Sequence, residues 1–552
     1  MQLVECVPNF SEGRDRAVID AIAAAIRSVS DVKLLDVGPG ADTNRTVYTF
    51  VGPPGAVAEA AFRGAARAAE LIDMSRHHGA HPRMGALDVC PFVPVAGITM
   101  DACVTLARGV GSRLADELGI PVYFYEHAAS SEARRSLAAI RAGEYEGLPK
   151  KLADPAWAPD CGPARFNPRT GATVVGAREF LVAYNVNLNT RDRGLAHDIA
   201  LTIREAGRAK RDERGEIVRE ATGQAVKVPG RLRAVRAIGW YIEEYGQAQV
   251  SINLLDFQTT PLHVVFETVC EEAAARGLRV TGSELVGMVP LAPLVDAGRF
   301  YLRRQGRSTG ASERDLVDLA VRTLGLAQLG PFDASRKVIE YQFRTPAPLI
   351  ALAVDRFVDA VASEQPAPGG GSVAALAGSL AAALGAMVAG VTVGKKGYED
   401  AWAELSALAE RAQEVKASLA RLVDADTNAF NAVLEAMRLP KGTPEEQAAR
   451  AAALEAANQG AARVPLDTAR LALEAVAIAE VMAARGNRNS RSDAGVGALM
   501  GRAAVEGAAL NVKTNLASIE DQDFKRSCTD ECRQLVTDAR AACDRVLAGL
   551  DD

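Results

Sequence analysis

Cysteine is scarce, with 8 in 552 residues and no Cys-x-x-Cys pair. That argues against a disulfide-stapled secreted fold and fits a reducing cytoplasm. An excess of either charge is also lacking: 63 Lys and Arg against 69 Asp and Glu leave a net charge of −6 and a pI near 5.8. No global positive field favours nucleic acid, although a local basic patch can still hold an anion. An unbroken apolar run of membrane length is missing too. The longest candidate, 373–393, is interrupted by Gly and Ala and contains Ser379 and Thr392, so it reads as a buried helix and no membrane span is expected. The start, Met1 to Ser11, is strand-like and then polar rather than charged and then apolar, unlike a signal peptide.

What is present is an ordinary globular composition, 48% hydrophobic and 24% charged, in a chain too long for one hydrophobic core. The N-terminal part predicts strand Gln2–Val7, helix Arg14–Val29, strands Val32–Val37 and Thr46–Val51, a helix from Pro54 to Ile72 and strand Ala86–Val93. This β-α-β-β-α-β order is that of a ferredoxin-like unit, extended by helix Asp101–Leu118 and strand Pro121–Tyr125. After a Pro- and Gly-containing stretch, Asp154–Gly176, the order repeats. Strand Phe180–Val186, helix Arg191–Ala206, strands Ala234–Tyr241 and Val250–Phe257, helix Leu262–Arg276 and strand Val280–Met288 follow. The charge-dense segment Arg208–Arg233 reads as a hairpin or loop insertion. Beyond about Thr345 the texture becomes Ala-rich and helical, with helices at 401–436, 444–462 and 465–484. The expected fold class is therefore α/β plus all-α: two ferredoxin-like βαββαβ subdomains, 1–180 and 181–342, a Pro-containing linker, 343–351, and a helical-bundle domain, 352–552.

Three of the six histidines fall in Ser75-Arg76-His77-His78-Gly79-Ala80-His81-Pro82-Arg83-Met84-Gly85. Adjacent His77 and His78 point apart on regular backbone, and no carboxylate or cysteine set accompanies them, which disfavours metal. A general base on a glycine-containing loop and simple loop packing both remain open. Asn9-Phe10-Ser11-Glu12-Gly13 and Asp42-Thr43-Asn44-Arg45-Thr46 sit at strand ends, where cleft residues and turn chemistry look alike. The run Gly369-Gly370-Gly371-Ser372 opens onto a helix and lacks the Gly-Lys-Ser/Thr ending of a nucleotide loop. It is either a capped turn or an anion-binding helix start. Cys528 and Cys532 read as buried packing on a C-terminal helix.

Longer runs carry a resemblance. Val4-Glu5-Cys6-Val7-Pro8-Asn9-Phe10-Ser11-Glu12-Gly13, Asn44-Arg45-Thr46-Val47-Tyr48-Thr49-Phe50-Val51-Gly52-Pro53-Pro54 and His81-Pro82-Arg83-Met84-Gly85-Ala86-Leu87-Asp88-Val89 resemble the transferase part of the formimidoyltransferase-cyclodeaminase family. Trp157-Ala158-Pro159-Asp160, Gly239-Trp240-Tyr241 and Asn253-Leu254-Leu255-Asp256-Phe257 continue the likeness. In the helical third, Ala367-Pro368-Gly369-Gly370-Gly371-Ser372, Leu422-Val423-Asp424-Ala425-Asp426 and Arg491-Ser492-Asp493 are similar to the cyclodeaminase part.

The resemblance implies a cytoplasmic bifunctional enzyme. It would move a formimino group from formiminoglutamate to tetrahydrofolate and then cyclise the product with loss of ammonia. It implies His81 as transferase base with His77 and His78 in support, and Asp426 as the acid/base of cyclisation. Asp424 and Asp426, two apart, cannot share a helix face. Folate contacts are implied at Gly162-Pro163-Ala164-Arg165-Phe166-Asn167-Pro168-Arg169-Thr170-Gly171 and at Gly369 to Ser372, and substrate contacts at Asn9, Arg45 and Asp42. Gly38 stands where bifunctional relatives carry an acidic residue, so Asp42 is a candidate replacement for its orienting role. The resemblance further implies polyglutamylated tetrahydrofolate as co-substrate, no metal, and a ring-like homo-oligomer with helical-domain dimers. The basic residues of 208–233 are candidates to hold a polyglutamate tail. Two rivals stand beside this reading: a helical domain acting as a methenyltetrahydrofolate cyclohydrolase, and a folate-binding scaffold without turnover.

Overall fold

The computed structural model describes residues 2–79, 82–220, 222–343 and 348–550. His81, the expected transferase base, and 344–347 of the expected linker lie outside the described residues.

The first strands and helices follow the expected order: β1 (Leu3–Cys6), β2 (Asn9–Phe10), α1 (Arg16–Arg27), β3 (Lys33–Gly40), β4 (Arg45–Gly52), α2 (Pro54–Leu71) and β5 (Leu87–Ala96). Asp15 caps α1 by accepting from the N–H groups of Ala17 and Val18, and Ile19, Ile22, Ala23 and Ile26 form its buried stripe. Across the sheet β3 pairs with β4, β4 with β1 and β2, and these with β5, all antiparallel. β3 is the edge strand, so its Pro39 costs no ladder bond. α3 (Met100–Leu118), β6 (Val122–Glu126), the short α4 (Leu137–Arg141) and α5 (Leu148–Leu152), and β7 (Thr173–Ala177) complete this part. β7 lies between β5 and β6, parallel to both. It falls largely within the stretch read as a connection, because Thr173–Ala177 is buried throughout and so lacks the alternation that marks a half-exposed strand. The helices cover one face of the sheet, over Val4, Cys6, Phe10, Phe50 and Phe92.

A second sheet uses β8 (Val182–Leu188), then α6 (Arg193–Ile203), the two-residue strands β9 (Arg208–Ala209) and β10 (Lys227–Val228), β11 (Val235–Ile242), β12 (Gln247–Leu254), α7 (Leu262–Ala275) and β13 (Val280–Val286). Its order, β11-β12-β8-β13, again places the first strand between the third and the fourth. β12 ends before Leu255–Phe257, which were expected to be extended, because the Asp256 side chain accepts from the N–H of Gln258 (2.9 Å) and turns the chain toward α7. The charged insertion is a hairpin, with β9 pairing β10. Its Arg208 is committed to Asp198 at 2.9 Å.

The chain forms two compact units, Met1–Pro293 with Gly325–Gln342, and Leu294–Leu324 with Phe343–Asp552. Most of α8 (Leu291–Arg304) and all of α9 (Glu313–Thr323) therefore pack with the helical unit, whereas the sequence boundaries placed them in 181–342. Polar bonds tie this excursion in: Ser406 Oγ accepts from the Thr309 N–H at 3.0 Å and lies 2.9 Å from its hydroxyl. The short α10 (Ala334–Lys337) belongs to the first unit. α11 (Val354–Val361), α12 (Gly370–Gly390), α13 (Trp402–Arg438), α14 (Pro444–Arg485), α15 (Arg491–Leu516) and α16 (Gln522–Ala548) make up the rest of the helical unit. By length and composition α12 could cross a membrane, and 56% of its most apolar window is buried inside the protein. It packs on α13, α14 and α15. Cys528 and Cys532 are buried with Leu466, Val512 and Leu516.

One helix replaces the two expected on either side of Pro465. Proline has no N–H for the carbonyl of Ala461 four residues back. The side-chain amide of Asn515, on α15, donates to that carbonyl at 2.7 Å. The orphaned acceptor is thus satisfied from a neighbouring helix, and the helix continues.

Candidate active sites

The histidine loop joins α2 to β5 and is fastened from several sides. Asn44 sits in the tight turn before β4 with φ +48°. Its Oδ1 accepts from the N–H of Gly13 (3.0 Å), and its Nδ2 donates to the carbonyl of His78 (3.0 Å). His77 Nε2 lies 2.7 Å from the carbonyl of Asn44, and Arg83 Nε donates to His77 Nδ1 at 3.4 Å. This network assigns the Nε2–H tautomer. Burial, aided by the Arg83 charge, lowers the His77 pKa, so His77 is a neutral strut. Gly79 then passes so close to the turn that an added Cβ would stand 2.2 Å from the carbonyl of Thr43. No other residue permits that approach. The His78 side chain is exposed.

Segment 137–152 grips the loop with ion pairs of both polarities. Arg83, on the loop, reaches Glu144 (3.1 Å) and Glu146 (2.6 Å). Asp88, at the start of β5 and fully buried, accepts from the N–H of Met84 at 2.8 Å and from Arg141 of α4. Arg45, the first residue of β4, lies within the field of both Arg141 and Asp88. Burial first, and Arg141 second, lower its pKa. Sequence reasoning missed Arg141, Glu144, Glu146 and the part played by Asp88. The one local signal was Asp88 itself, a charge inside an apolar strand that calls for a partner.

Segment 162–171 closes on the same loop. The N–H of Met74 donates to the carbonyl of Arg169 (3.0 Å), and that of Ala86 to the carbonyl of Thr170 (2.9 Å). Asn167 turns the segment by accepting from the N–H of Arg169, and the Phe166 ring meets that of Tyr145 at 5.4 Å, tilted by 53°. The Arg169 guanidinium bonds the carbonyl of Glu70, while Arg165 is exposed and has no partner among the described residues. Asn9 donates to the carbonyl of Val7 (3.0 Å) and pairs in the sheet with Val47 and Val89. Asp42 is exposed in the turn between β3 and β4, with no hydrogen bond among the described residues. At Gly38 an added Cβ would make only ordinary contacts, 3.5 Å from Asp36 Oδ2 and 3.8 Å from the carbonyl of Val47. The backbone there accommodates a side chain. Elsewhere on this sheet Glu5 is buried, and burial, opposed by Arg178, raises its pKa to about 7.

In the helical unit Asp424 and Asp426 part company. Asp424 is buried and accepts from the N–H groups of Leu349 (2.9 Å) and Ile350 (3.1 Å), tying the incoming chain to α13. Asp426 instead lies at the start of α12, where Ser372 Oγ donates to its Oδ2 at 3.1 Å. Ser372 Oγ also lies 2.8 Å from the carbonyl of Val423. Burial raises the Asp426 pKa, against the hydroxyl and N–H of Ser372. The carboxylate fills the space a side chain on Gly371 would need, since an added Cβ would lie 2.1 Å from Oδ1. Asn511 of α15 stands beside Gly370, 3.4 Å from where its Cβ would be, and sequence reasoning did not find it. Two cavities of this unit, about 630 Å³ beside Trp402, Arg303 and Glu410 and about 360 Å³ beside Arg450 and Asn458, lie away from Asp426. Among the described residues no three His, Cys, Asp or Glu side chains are grouped as a metal site.

A half-buried carboxyl whose pKa burial raises is a stronger proton acceptor than an exposed one, as acid-base chemistry requires. A loop clamped by paired guanidinium groups and carboxylates can hold an anionic substrate against a base. The chain is similar to known proteins over nearly its whole length. The formiminotransferase domain, N-terminal subdomain, matches residues 3–178, the formiminotransferase domain matches 183–344, and formiminotransferase-cyclodeaminase matches 353–534. Formimidoyltransferase-cyclodeaminase of Gallus gallus is 47% identical over 100% of this chain and 99% of its own. Glutamate formimidoyltransferase of Streptococcus pyogenes serotype M1 is 43% identical over 55% of this chain and 94% of its own. Methenyltetrahydrofolate cyclohydrolase of Methylorubrum extorquens is 39% identical over 35% of this chain and 93% of its own.

Proposed function

Because this chain belongs to the formimidoyltransferase-cyclodeaminase family, we propose that it carries both activities in that name. It transfers the formimino group of N-formimino-L-glutamate to N5 of tetrahydrofolate, then closes the 5-formimino group onto N10 with release of ammonia. The observation that carries the second activity is the half-buried Asp426 carboxyl, hydrogen-bonded at the start of α12 and raised in pKa by burial.

In the transferase, N5 attacks the formimino carbon. His81 takes the N5 proton and passes it to the departing glutamate nitrogen, and the buried neutral His77 holds the loop from beneath. Asn9, Arg45 and Asp42 are the substrate contacts of this reading, and 162–171 is the folate contact, with the exposed Arg165 meeting the cofactor's carboxylates. In the cyclodeaminase, N10 attacks the same carbon. Asp426 accepts the N10 proton and returns it to the leaving ammonia, while the N–H groups of Gly369 to Ser372 favour an anionic part of the folate.

The same reading makes the two repeated sheets ferredoxin-like, supported by the shared order with the first strand between the third and fourth. It places the transferase in 1–180 and 181–342 and the lyase step in 352–552. It also takes a polyglutamylated, metal-free folate as co-substrate, a cytoplasmic location and a homo-oligomer with helical-domain dimers. Of the insertion's basic residues, Lys210 is exposed, whereas Arg208 is engaged.

The test is formation of 5,10-methenyltetrahydrofolate, by absorbance, from formiminoglutamate and tetrahydrofolate. His81→Ala should block the first step yet cyclise added 5-formiminotetrahydrofolate, and Asp426→Ala should do the reverse. Equal loss of both steps in either variant would overturn independent sites. The cyclohydrolase reading, favoured by the Methylorubrum relative, requires that no ammonia appear when 5-formiminotetrahydrofolate is supplied.

A further inference from the structure

We propose that the larger cavity of the helical unit, about 630 Å³ in volume, is a binding site for a nucleoside phosphate. It is built from residues that neither candidate active site uses, and its occupancy is independent of both activities above.

One wall is a face of α13. Trp402, Ser406 and Glu410 recur at one-turn spacing, with Ala403 and Ala407 beside them. Both alanines are exposed, and their short side chains leave room along Trp402 that a longer residue would fill. Trp402 is half-buried and packs on the core cluster that includes Val393, Leu405 and Ala409, so its ring is held while its remaining surface borders the cavity. The facing wall is the end of α8 and the turn after it, where Thr309 is bonded to Ser406 and Glu410. Gln413 of α13 donates to the carbonyl of Gly310 at 2.9 Å. Hydrogen bonds thus fix the two walls against each other.

Most charges at this cavity are already matched. Arg411 bonds Glu414 and Glu474, and Glu410 lies 3.6 Å from Arg299 and 3.9 Å from Arg303. Arg299 and Arg303 also lie in the field of Asp296. Arg307 differs, because it is exposed and its guanidinium has no hydrogen bond or ion pair among the described residues. The guanidinium stands 4.0 Å from where a Cβ on Gly394 would be, against the turn that follows α12. An anion can therefore meet Arg307 without breaking an ion pair, and phosphate oxygens match the guanidinium fork.

The lining narrows the ligand. A bare anion would use Arg307 and leave the aromatic wall and most of the volume empty. An uncharged ring would leave Arg307 unmet. A cavity of this size takes a whole small molecule, and a flat base stacks on an indole whatever its sequence of ring substituents. Glu410 and Glu414 add hydrogen-bond acceptors to the same wall. These suit sugar hydroxyls and repel a polycarboxylate. A nucleoside phosphate supplies the ring, the hydroxyls and the anion together.

The test is titration calorimetry on the full chain with ADP as the probe. Wild type should bind one ADP per chain. Ala407→Phe, which fills the cavity and removes no ligand contact, should abolish that binding with its thermal midpoint close to that of wild type. Arg307→Gln should weaken ADP by about 10- to 100-fold, the span expected for one charge-assisted contact, and Arg307→Lys should recover part of the loss. Trp402→Leu should weaken it by about 5- to 100-fold, the worth of one stacked base. Adenosine and inorganic phosphate should each bind at least about 10-fold more weakly than ADP, since each lacks one of these contacts. Absence of ADP binding at millimolar concentration would overturn the proposal. So would equal ADP affinity in wild type, Ala407→Phe and Arg307→Gln, which would place the nucleotide elsewhere on the chain. Adenosine or phosphate binding as tightly as ADP would overturn the ligand class. If Ala407→Phe does not fold, Arg307→Gln, altered only at an exposed side chain, decides by the same comparison.

Discussion

The two candidate sites are held in different ways. In the first unit Asn44, His77, Arg83, Asp88 and Arg141 come from a turn, a loop, a strand end and a five-residue helix, joined by hydrogen bonds and ion pairs over as many as 63 residues of sequence. In the helical unit one side-chain contact does the work. Asp426 of α13 rests against Gly371 and Ser372 of α12, and the contact exists because Gly371 has no side chain. A network of charges spreads a loss over several partners, whereas a steric fit has no slack. The first site should therefore weaken by degrees, and the second should fail at a single methyl group.

The strongest challenge to that contrast is Asp426→Asn, which keeps the shape and removes the proton. Cyclisation of 5-formiminotetrahydrofolate should fall by about 10²- to 10⁴-fold, the usual worth of a general acid-base group, with formimino transfer intact. Gly371→Ala comes next. Its new methyl meets the carboxylate at 2.1 Å, and cyclisation should drop on the order of 100-fold without change in the chemical groups. Retention within threefold would break the contrast.

Glu5→Gln sharpens it in the first unit, where a buried carboxyl has no hydrogen bond among the described residues. Its pKa rises from 4.5 to about 7. The folded protein thus binds more protons than the unfolded chain between those values, and Glu5 lowers stability progressively as pH climbs through that window. The variant should be more stable than wild type by about 1 to 3 kcal/mol at pH 8, with the gain gone near pH 4, measured by chemical denaturation. Asp424→Asn should cost about 1 to 2 kcal/mol of stability through its bonds to the N–H groups of Leu349 and Ile350, while cyclisation kcat is kept. The smallest effect belongs to Ser372→Ala. Loss of a hydroxyl that favours the ionised carboxyl raises the Asp426 pKa further, moving that limb of the cyclisation pH profile upward with only a few-fold change in kcat.

Much of the fold was legible because its signals are local. The stripe Ile19, Ile22, Ala23 and Ile26 announces α1, and Pro54 marks the first turn of α2. β7 was illegible for the opposite reason, since burial on both faces erases alternation. Pro465 misled because its remedy, Asn515, is 50 residues away in sequence and adjacent only in space. Within the sites, Asp424 and Asp426 could be told apart as pointing different ways, but which one anchors the chain depended on the position of Leu349 and Ile350. Arg141 carries no local mark. Nothing in Leu137–Arg141 points to a strand 53 residues earlier.

Sequence alone determined the order of the elements, the change from mixed α/β to all-helical texture, and the resemblance that names the chemistry. These depend on neighbours along the chain, through periodicity, capping and breaking residues. Tertiary structure decided the electrostatic surroundings: a neutral His77 beneath its loop, Arg141 paired with the buried Asp88, and an Asp426 whose pKa burial raises. Desolvation and pairing act across space, between residues that no reading along the chain brings together.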